Sequence, residues 1–127
     1  MSFPVTILGG VGGFVIEQDT ASSFSIFIGI GGVWRSLGGV SYTENQPTML
    51  LWSYDGNNIT AYKDGIFHSS VAQTGSISYQ STTPIIGAEG NLRYLKASIY
   101  NVIVYNRALS ANEVQQNYKA TKGRFGL

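Results

Sequence analysis

Apolar and polar positions alternate with a period of two through most of this chain. Short blocks of Gly, Asn and Asp interrupt them. That pattern predicts strands at Val5–Leu8, Phe14–Glu17, Phe24–Ile30, Val33–Leu37, Val40–Thr43 and Thr48–Tyr54. Further strands are predicted at Ile59–Lys63, Ile66–Val71, Ser76–Tyr79, Pro84–Gly87 and Leu95–Tyr105. Phe24, Ile26, Ile28 and Ile30 share one face, so that face is expected to be buried. In Thr48–Tyr54 and Ile99–Tyr105 both faces are largely apolar, so both are expected to be central strands. Asp55-Gly56-Asn57-Asn58 and Lys63-Asp64-Gly65 are hairpin turns, because Gly, Asn and Asp tolerate positive φ. They make residues 48–71 a three-stranded antiparallel meander. Gly9–Gly13 is expected to be a flexible turn between the first two strands.

The period changes once, near the end. Ser110 is a good helix N-cap, and Glu113 three residues later completes a capping box. Leu109 and Val114 are spaced as a hydrophobic staple. Lys119 and Lys122 sit in the expected last turn, where the helix dipole favours cations, and Gly123 is the expected left-handed stop. The helix is expected to pack through Leu109, Val114 and Tyr118. The predicted fold is all-β, an antiparallel jelly-roll sandwich with one short C-terminal helix.

Composition agrees with this pattern. Residues 1–127 form a single domain long enough to bury a core. Sixteen glycines, eight tyrosines and six phenylalanines with only 12% charged residues favour sheet and turns. With no cysteine, disulfide scaffolds and cysteine zinc sites are excluded. The first residues have no basic, signal-like region, and no run approaches the ~20 apolar residues of a membrane span. Neither a membrane nor a nucleic acid is an expected partner. The charge is polarised. Residues 1–92 carry two basic and six acidic residues, whereas residues 93–127 carry six basic residues and Glu113 alone as acid. Lys119, Lys122 and Arg124 are therefore candidate assembly contacts on an acidic partner or a neighbouring subunit.

A set of short segments carries a resemblance. These are Trp52-Ser53-Tyr54-Asp55-Gly56, Tyr62-Lys63-Asp64-Gly65, Ile86-Gly87, and Tyr105-Asn106-Arg107-Ala108-Leu109-Ser110 with Glu113. In this order they resemble the laminin-G-like domains of the concanavalin A-like lectin/glucanase superfamily, over roughly residues 14–127. The last segment is the most specific. The closing Lys122–Leu127 is similar to the C-terminus of bacteriophage structural proteins that carry this domain. Domains of this kind usually open with further strands before the equivalent of Phe14, of which Val5–Leu8 is the expected remnant. A sandwich lacking those strands exposes a sheet edge, so a homo-oligomer or a larger assembly is expected to cover it.

The resemblance raises four chemistries. Related glucanases carry Glu-x-Asp-x-Glu on one strand, because retaining hydrolysis needs two carboxylates about 5 Å apart. Here Glu17 and Asp19 supply two acids, and Ala21 stands at the third position. His68 is the single histidine and no Gly-x-Ser-x-Gly is present, so no nucleophile elbow forms. Gly29 and Gly31 fail as a dinucleotide loop, since Trp34 replaces the third glycine and no helix follows. No catalysis is expected. Many laminin-G-like domains hold one calcium ion at the rim, which makes Asp19, Asp55, Asn57, Asn58 and Asp64 candidate ligands, although such side chains also build turns. No other cofactor is expected.

Glycan binding uses aromatic rings with polar neighbours, and Trp34, Arg35, Tyr42 and Tyr79 lie near predicted strand ends. Asn58-Ile59-Thr60 matches the N-glycosylation pattern, relevant only to a eukaryotic secretory route. Two functions follow from these readings. One is a non-catalytic bacteriophage virion module, as capsid decoration or tail or head fibre, contacting other virion proteins and possessing at most shallow binding to a cell-surface glycan. The other is a carbohydrate-binding module of a bacterial extracellular protein.

Overall fold

The computed structural model describes residues 5–6, 12–79, 84–89 and 93–126. Among the described residues ten strands precede one helix: β1 (Val5–Thr6), β2 (Phe14–Thr20), β3 (Ser23–Ile30), β4 (Val33–Ser41), β5 (Leu50–Tyr54), β6 (Asn58–Lys63), β7 (Ile66–Ala72), β8 (Ile85–Ile86), β9 (Ala88–Glu89), β10 (Arg93–Tyr94) and α1 (Ala111–Phe125). Two antiparallel three-stranded sheets dominate, in the orders β2-β3-β4 and β5-β6-β7. Small antiparallel ladders join β1 to β8 and β9 to β10.

The sheets meet through the faces that alternation assigned to the core. Ile26, Ile28 and Ile30 of β3 pack with Ile59 of β6, and Phe14, Ile16, Leu37, Trp52, Tyr54 and Ile77 surround them. Phe24 and Ile59 are fully buried. The other face of the second sheet is covered by the helix, where Tyr62 and Leu51 meet Leu109 and Val114. These two covers explain why β5 is apolar on both faces although it is an edge strand. Trp52 and Tyr54 face the first sheet, and Leu51 faces the helix. The central strand of this sheet is β6, which corrects the expectation for Thr48–Tyr54.

The helix begins as its sequence dictates. Ser110 accepts from the Glu113 N–H, and Glu113 accepts from the Ser110 N–H at 2.8 Å. The stop differs from expectation. The helix runs through Gly123 and closes at Gly126, whose φ of 71° is left-handed and whose N–H donates to the Lys122 carbonyl. Two glycines were available, and the later one takes the positive φ while Arg124 and Phe125 add a further half-turn.

Three other expectations change. Val33–Leu37 and Val40–Thr43 are one strand, because Gly38 and Gly39 are absorbed as a bulge opposite Ser25, with Gly39 at φ 76°. Ser76–Tyr79 makes only a single bridge, from Ile77 to Ile30. The largest correction is Leu95–Tyr105, which belongs to no strand among the described residues. Its expected central position is replaced by exposure: Tyr100, Ile103 and Val104 are 63%, 59% and 66% exposed. β-Propensity describes how a side chain fits a ladder, and no described strand pairs with this segment. Leu8 and Gly9–Val11 lie outside the described residues.

Candidate functional site

One polar concavity lies where the β4–β5 connection faces the segment after β10. Tyr42 lines it. Its N–H donates to the Ser22 carbonyl at 3.0 Å, and its hydroxyl donates to the Ala21 carbonyl at 2.8 Å. The same hydroxyl accepts from Gln18 Nε2 at 2.7 Å, and the ring packs against Phe24 with centroids 5.1 Å apart. Residues 43–48 then fold into a compact polar loop. Asn45 takes a left-handed φ of 61°, Gln46 N–H donates to the Thr43 carbonyl, and Thr48 Oγ1 donates to the Gln46 carbonyl. Asn is one of the few residues that adopts this backbone readily. Lys96, Ala97, Ser98 and Tyr100 form the opposite wall. Tyr100 is held by stacking on Phe125, with centroids 5.7 Å apart and planes at 22°. The cleft encloses about 400 Å³ and presents Glu44, Asn45, Gln46, Lys96 and two tyrosines. Two rings flanked by amide, carboxylate and ammonium groups can meet a small, polar ligand.

A second hollow of about 500 Å³ lies at the sandwich end, between the β3–β4 turn and residues 73–78. Arg35 lines it, and exposed Tyr79 follows directly in the chain. The four expected glycan residues therefore do not form one site. Tyr42 serves the first cleft and Arg35 the second. Trp34 pairs with Gly29 and Arg35 with Ile28, so by strand alternation these neighbours point to opposite faces of β4.

The five candidate calcium ligands lie at separate places in the fold. Asp55 and Asn57 occupy the β5–β6 turn and Asp64 the β6–β7 turn. The six-residue strand β6 holds these turns ~20 Å apart at opposite ends. Each carboxylate has turn-building work. Asp55 accepts from the Asn57 and Asn58 N–H groups at 2.8 and 2.7 Å, and these bonds hold it below the usual aspartate range. Asp64 accepts from the Met49 N–H at 2.9 Å. Asp19 accepts from Ser23 at 2.8 Å and from Ser25. Burial pushes the Asp19 carboxyl up, but the hydrogen bonds from Ser25, Ser23 and the backbone outweigh it and leave it lowered. Among the described residues no group of three His, Cys, Asp or Glu side chains converges.

His68 is exposed, with Nδ1 3.0 Å from the neighbouring Ser69 hydroxyl. Lys119, Lys122 and Arg124 are exposed on α1. Lys119 reaches Gln115 at 3.4 Å, and the Arg124 guanidinium lies 5.4 Å from the Phe125 ring centre. No described helix is long and apolar enough to cross a membrane.

Of the residues lining this cleft, the sequence pointed to Tyr42 and not to its companions. The polar run Glu44-Asn45-Gln46-Pro47 was a usable signal for a binding loop. Lys96 and Tyr100 were concealed by the expectation that Leu95–Tyr105 is buried.

Comparison with known proteins gives the chain its relatives. No curated protein matches its sequence. A solved structure of an S-layer domain-containing protein (residues 221–444) from Clostridium thermocellum ATCC 27405 is similar over 91% of this chain, at 16% identity and a TM-score of 0.47. This chain spans 62% of that one. The sequence model of the third laminin-G family, described as the concanavalin A-like lectin/glucanases superfamily, matches residues 2–115. With nearly the whole described sandwich inside that match, the chain belongs to the concanavalin A-like lectin/glucanase superfamily.

Proposed function

We propose that this domain is a non-catalytic binding module, displayed extracellularly or on a particle surface, that takes a neutral glycan in the Tyr42–Tyr100 cleft. The observation that carries the reading is Tyr42. A ring fixed by both its hydroxyl and its backbone is a rigid platform at low entropic cost, and Gln46, Asn45 and Glu44 stand beside it to meet hydroxyl groups. Membership of a superfamily that includes lectins supports it. Two observations support the non-catalytic reading: Asp19 is hydrogen-bonded by two serines, and Ala21 stands where the third acid of the related glucanases would be. No cofactor is required, so calcium chloride should leave both the melting temperature and glycan binding unchanged.

A glycan array followed by calorimetry tests this reading. Binding should weaken at least tenfold in Gln46→Ala and Lys96→Ala, and persist in Arg35→Ala. No hit on the array, or equal binding by all variants, would overturn it.

A second reading is a bacteriophage virion module, in which the same domain docks on other virion proteins. The uncovered apolar segment before α1 and the basic helix surface at Lys119, Lys122 and Arg124 favour it. Charge-driven docking on an acidic shell should dissociate on raising salt, since exposed charges are screened within about 10 Å at 0.1 M.

A further inference from the structure

Residues 99–105 run as a strap beside α1, held at two points. The Tyr105 hydroxyl accepts from Asn117 Nδ2 at 3.0 Å, and the Tyr100 ring stacks on Phe125 with centroids 5.7 Å apart. The second anchor sits at the cleft. Tyr100 lines it beside Lys96, Ala97 and Ser98, whereas Phe125 does not. Among the described residues this stack is the only ring contact that Tyr100 makes. Where α1 stops decides whether the contact exists. A helix closed at Gly123 would end before Phe125. The helix closes instead at Gly126, with φ 71° and its N–H on the Lys122 carbonyl, and so carries Phe125 as its last residue.

We infer that Phe125 is a positioning residue of the cleft: it meets no ligand itself, but the last half-turn of α1 holds the Tyr100 wall in place through it. The inference rests on the glycan reading for the ligand, while the packing step stands on the stack alone. A sugar held between two walls needs both of them ordered. Tyr42 is already fixed by the bonds of its hydroxyl and its backbone. Tyr100 is 63% exposed and belongs to no described strand. Its ring is either ordered beforehand by a side-chain contact or ordered on binding, at an entropic cost that weakens affinity. The stack with Phe125 supplies the first. Its planes meet at 22°, and ring pairs are favoured when stacked with centroids about 4.5–7 Å apart. Phe125 is half-buried, and the Arg124 guanidinium lies 5.4 Å from its ring centre, a cation–π contact that adds to its hold. The helix stop thus sets a binding wall 25 residues earlier in the chain.

The test sets the full chain on an array of neutral glycans, with NMR of the ligand-free chain beside it. Cross-relaxation between the Tyr100 and Phe125 rings should be seen. Phe125→Ala should abolish it and weaken glycan binding about two- to tenfold, the range that one aromatic pair supplies. Phe125→Leu, which fills volume without a flat ring, should behave in the same way, and Phe125→Tyr should keep both. Val114→Ala loosens the buried contact near the other end of α1. It should lower the melting temperature and leave binding intact, which separates positioning from stability. Gly123→Ala should also keep binding, since the added carbon meets nothing within 4 Å and the residue lies inside the helix. Gly126→Ala, strained at its left-handed φ, should loosen the last half-turn and weaken binding. Equal binding by the unmodified chain and Phe125→Ala, an equal loss in Val114→Ala, or rings without cross-relaxation would overturn the inference. An array without hits would overturn the glycan reading. The inference is then decided by the amide shifts of residues 96–100, which Phe125→Ala should move and Val114→Ala should not; shifts unmoved by Phe125→Ala would end it.

Discussion

Gly65 lies directly against Tyr118. A carbon added at Gly65 would stand 2.7 Å from Tyr118 Cβ and 2.9 Å from Cγ, closer than real contacts allow. The β6–β7 turn therefore receives the helix at a point where only glycine leaves room. The same residue has φ 78°, which L side chains resist. Gly65→Ala should cost about 2–4 kcal/mol, combining left-handed strain with displacement of the helix. Gly87→Ala is the control. Its φ is 83°, but nothing lies within 4 Å of the added carbon, so only the strain of about 1 kcal/mol applies. Urea unfolding of both variants with an unchanged slope measures the difference, and equal losses would show that Tyr118 does not rest on Gly65.

Glu113 links the cap to the chain before it. It accepts from Arg107 Nη2 at 2.7 Å and Nη1 at 2.9 Å, and also from the Ser110 N–H. The Arg107 hydrogen bonds, then the Ser110 N–H, hold its carboxyl down to about 2, against an ordinary 4.5. A carboxyl lowered in the folded state contributes stability above its unfolded value, and that contribution is lost as pH falls through the folded one. Helix capping should therefore be complete above pH 5 and disappear between about 4.5 and 2. Carboxyl carbon shifts and α1 amide exchange over that range provide the check. In Glu113→Gln the loss over this window should vanish.

What the sequence made legible, and what it hid, follows from the range of each interaction. Ser110 and Glu113 act within one helical turn, so the cap was readable. Phe24, Ile26, Ile28 and Ile30 alternate within one strand, so the core face was readable too. The identity of the neighbours was not. β5 and the 99–105 strap share the same doubly apolar pattern, but Leu51 gains a helix and Tyr62 as cover, whereas Val104 gains none among the described residues. The cleft was hidden for the same reason. Tyr42 and Tyr100 are 58 residues apart in the chain, and a local pattern carries no information on such a meeting.

Burial separates residues that look alike in the sequence. Phe24 is fully buried between Gln18, Val40 and Tyr42. Phe24→Ala should cost about 3–5 kcal/mol, from lost transfer energy and a residual cavity. Ile66, an equally apolar strand residue, is 68% exposed, and Ile66→Ala should stay within about 0.5 kcal/mol. Chemical denaturation of the pair decides the matter. A large loss at Ile66 would mean that β7 is covered in solution.

The β4 bulge and the Asp19 carboxylate should prove to be one unit. A carbon added at Gly38 would collide with Ser25 Oγ and stand 3.1 Å from Asp19 Oδ2. Ser25 is buried, so its hydroxyl cannot turn to water instead. Gly38→Ala must therefore push Ser25 away from Asp19 and weaken the hydrogen bond that offsets burial of that carboxyl. Two changes are expected together: a stability loss of about 1–3 kcal/mol from overpacking, and a rise in the Asp19 pKa. Ser25→Ala should raise the same pKa without the overpacking. Carboxyl titration by NMR in the two variants is the measurement. An Asp19 value unchanged in both would mean that Ser23 and the backbone alone set its charge.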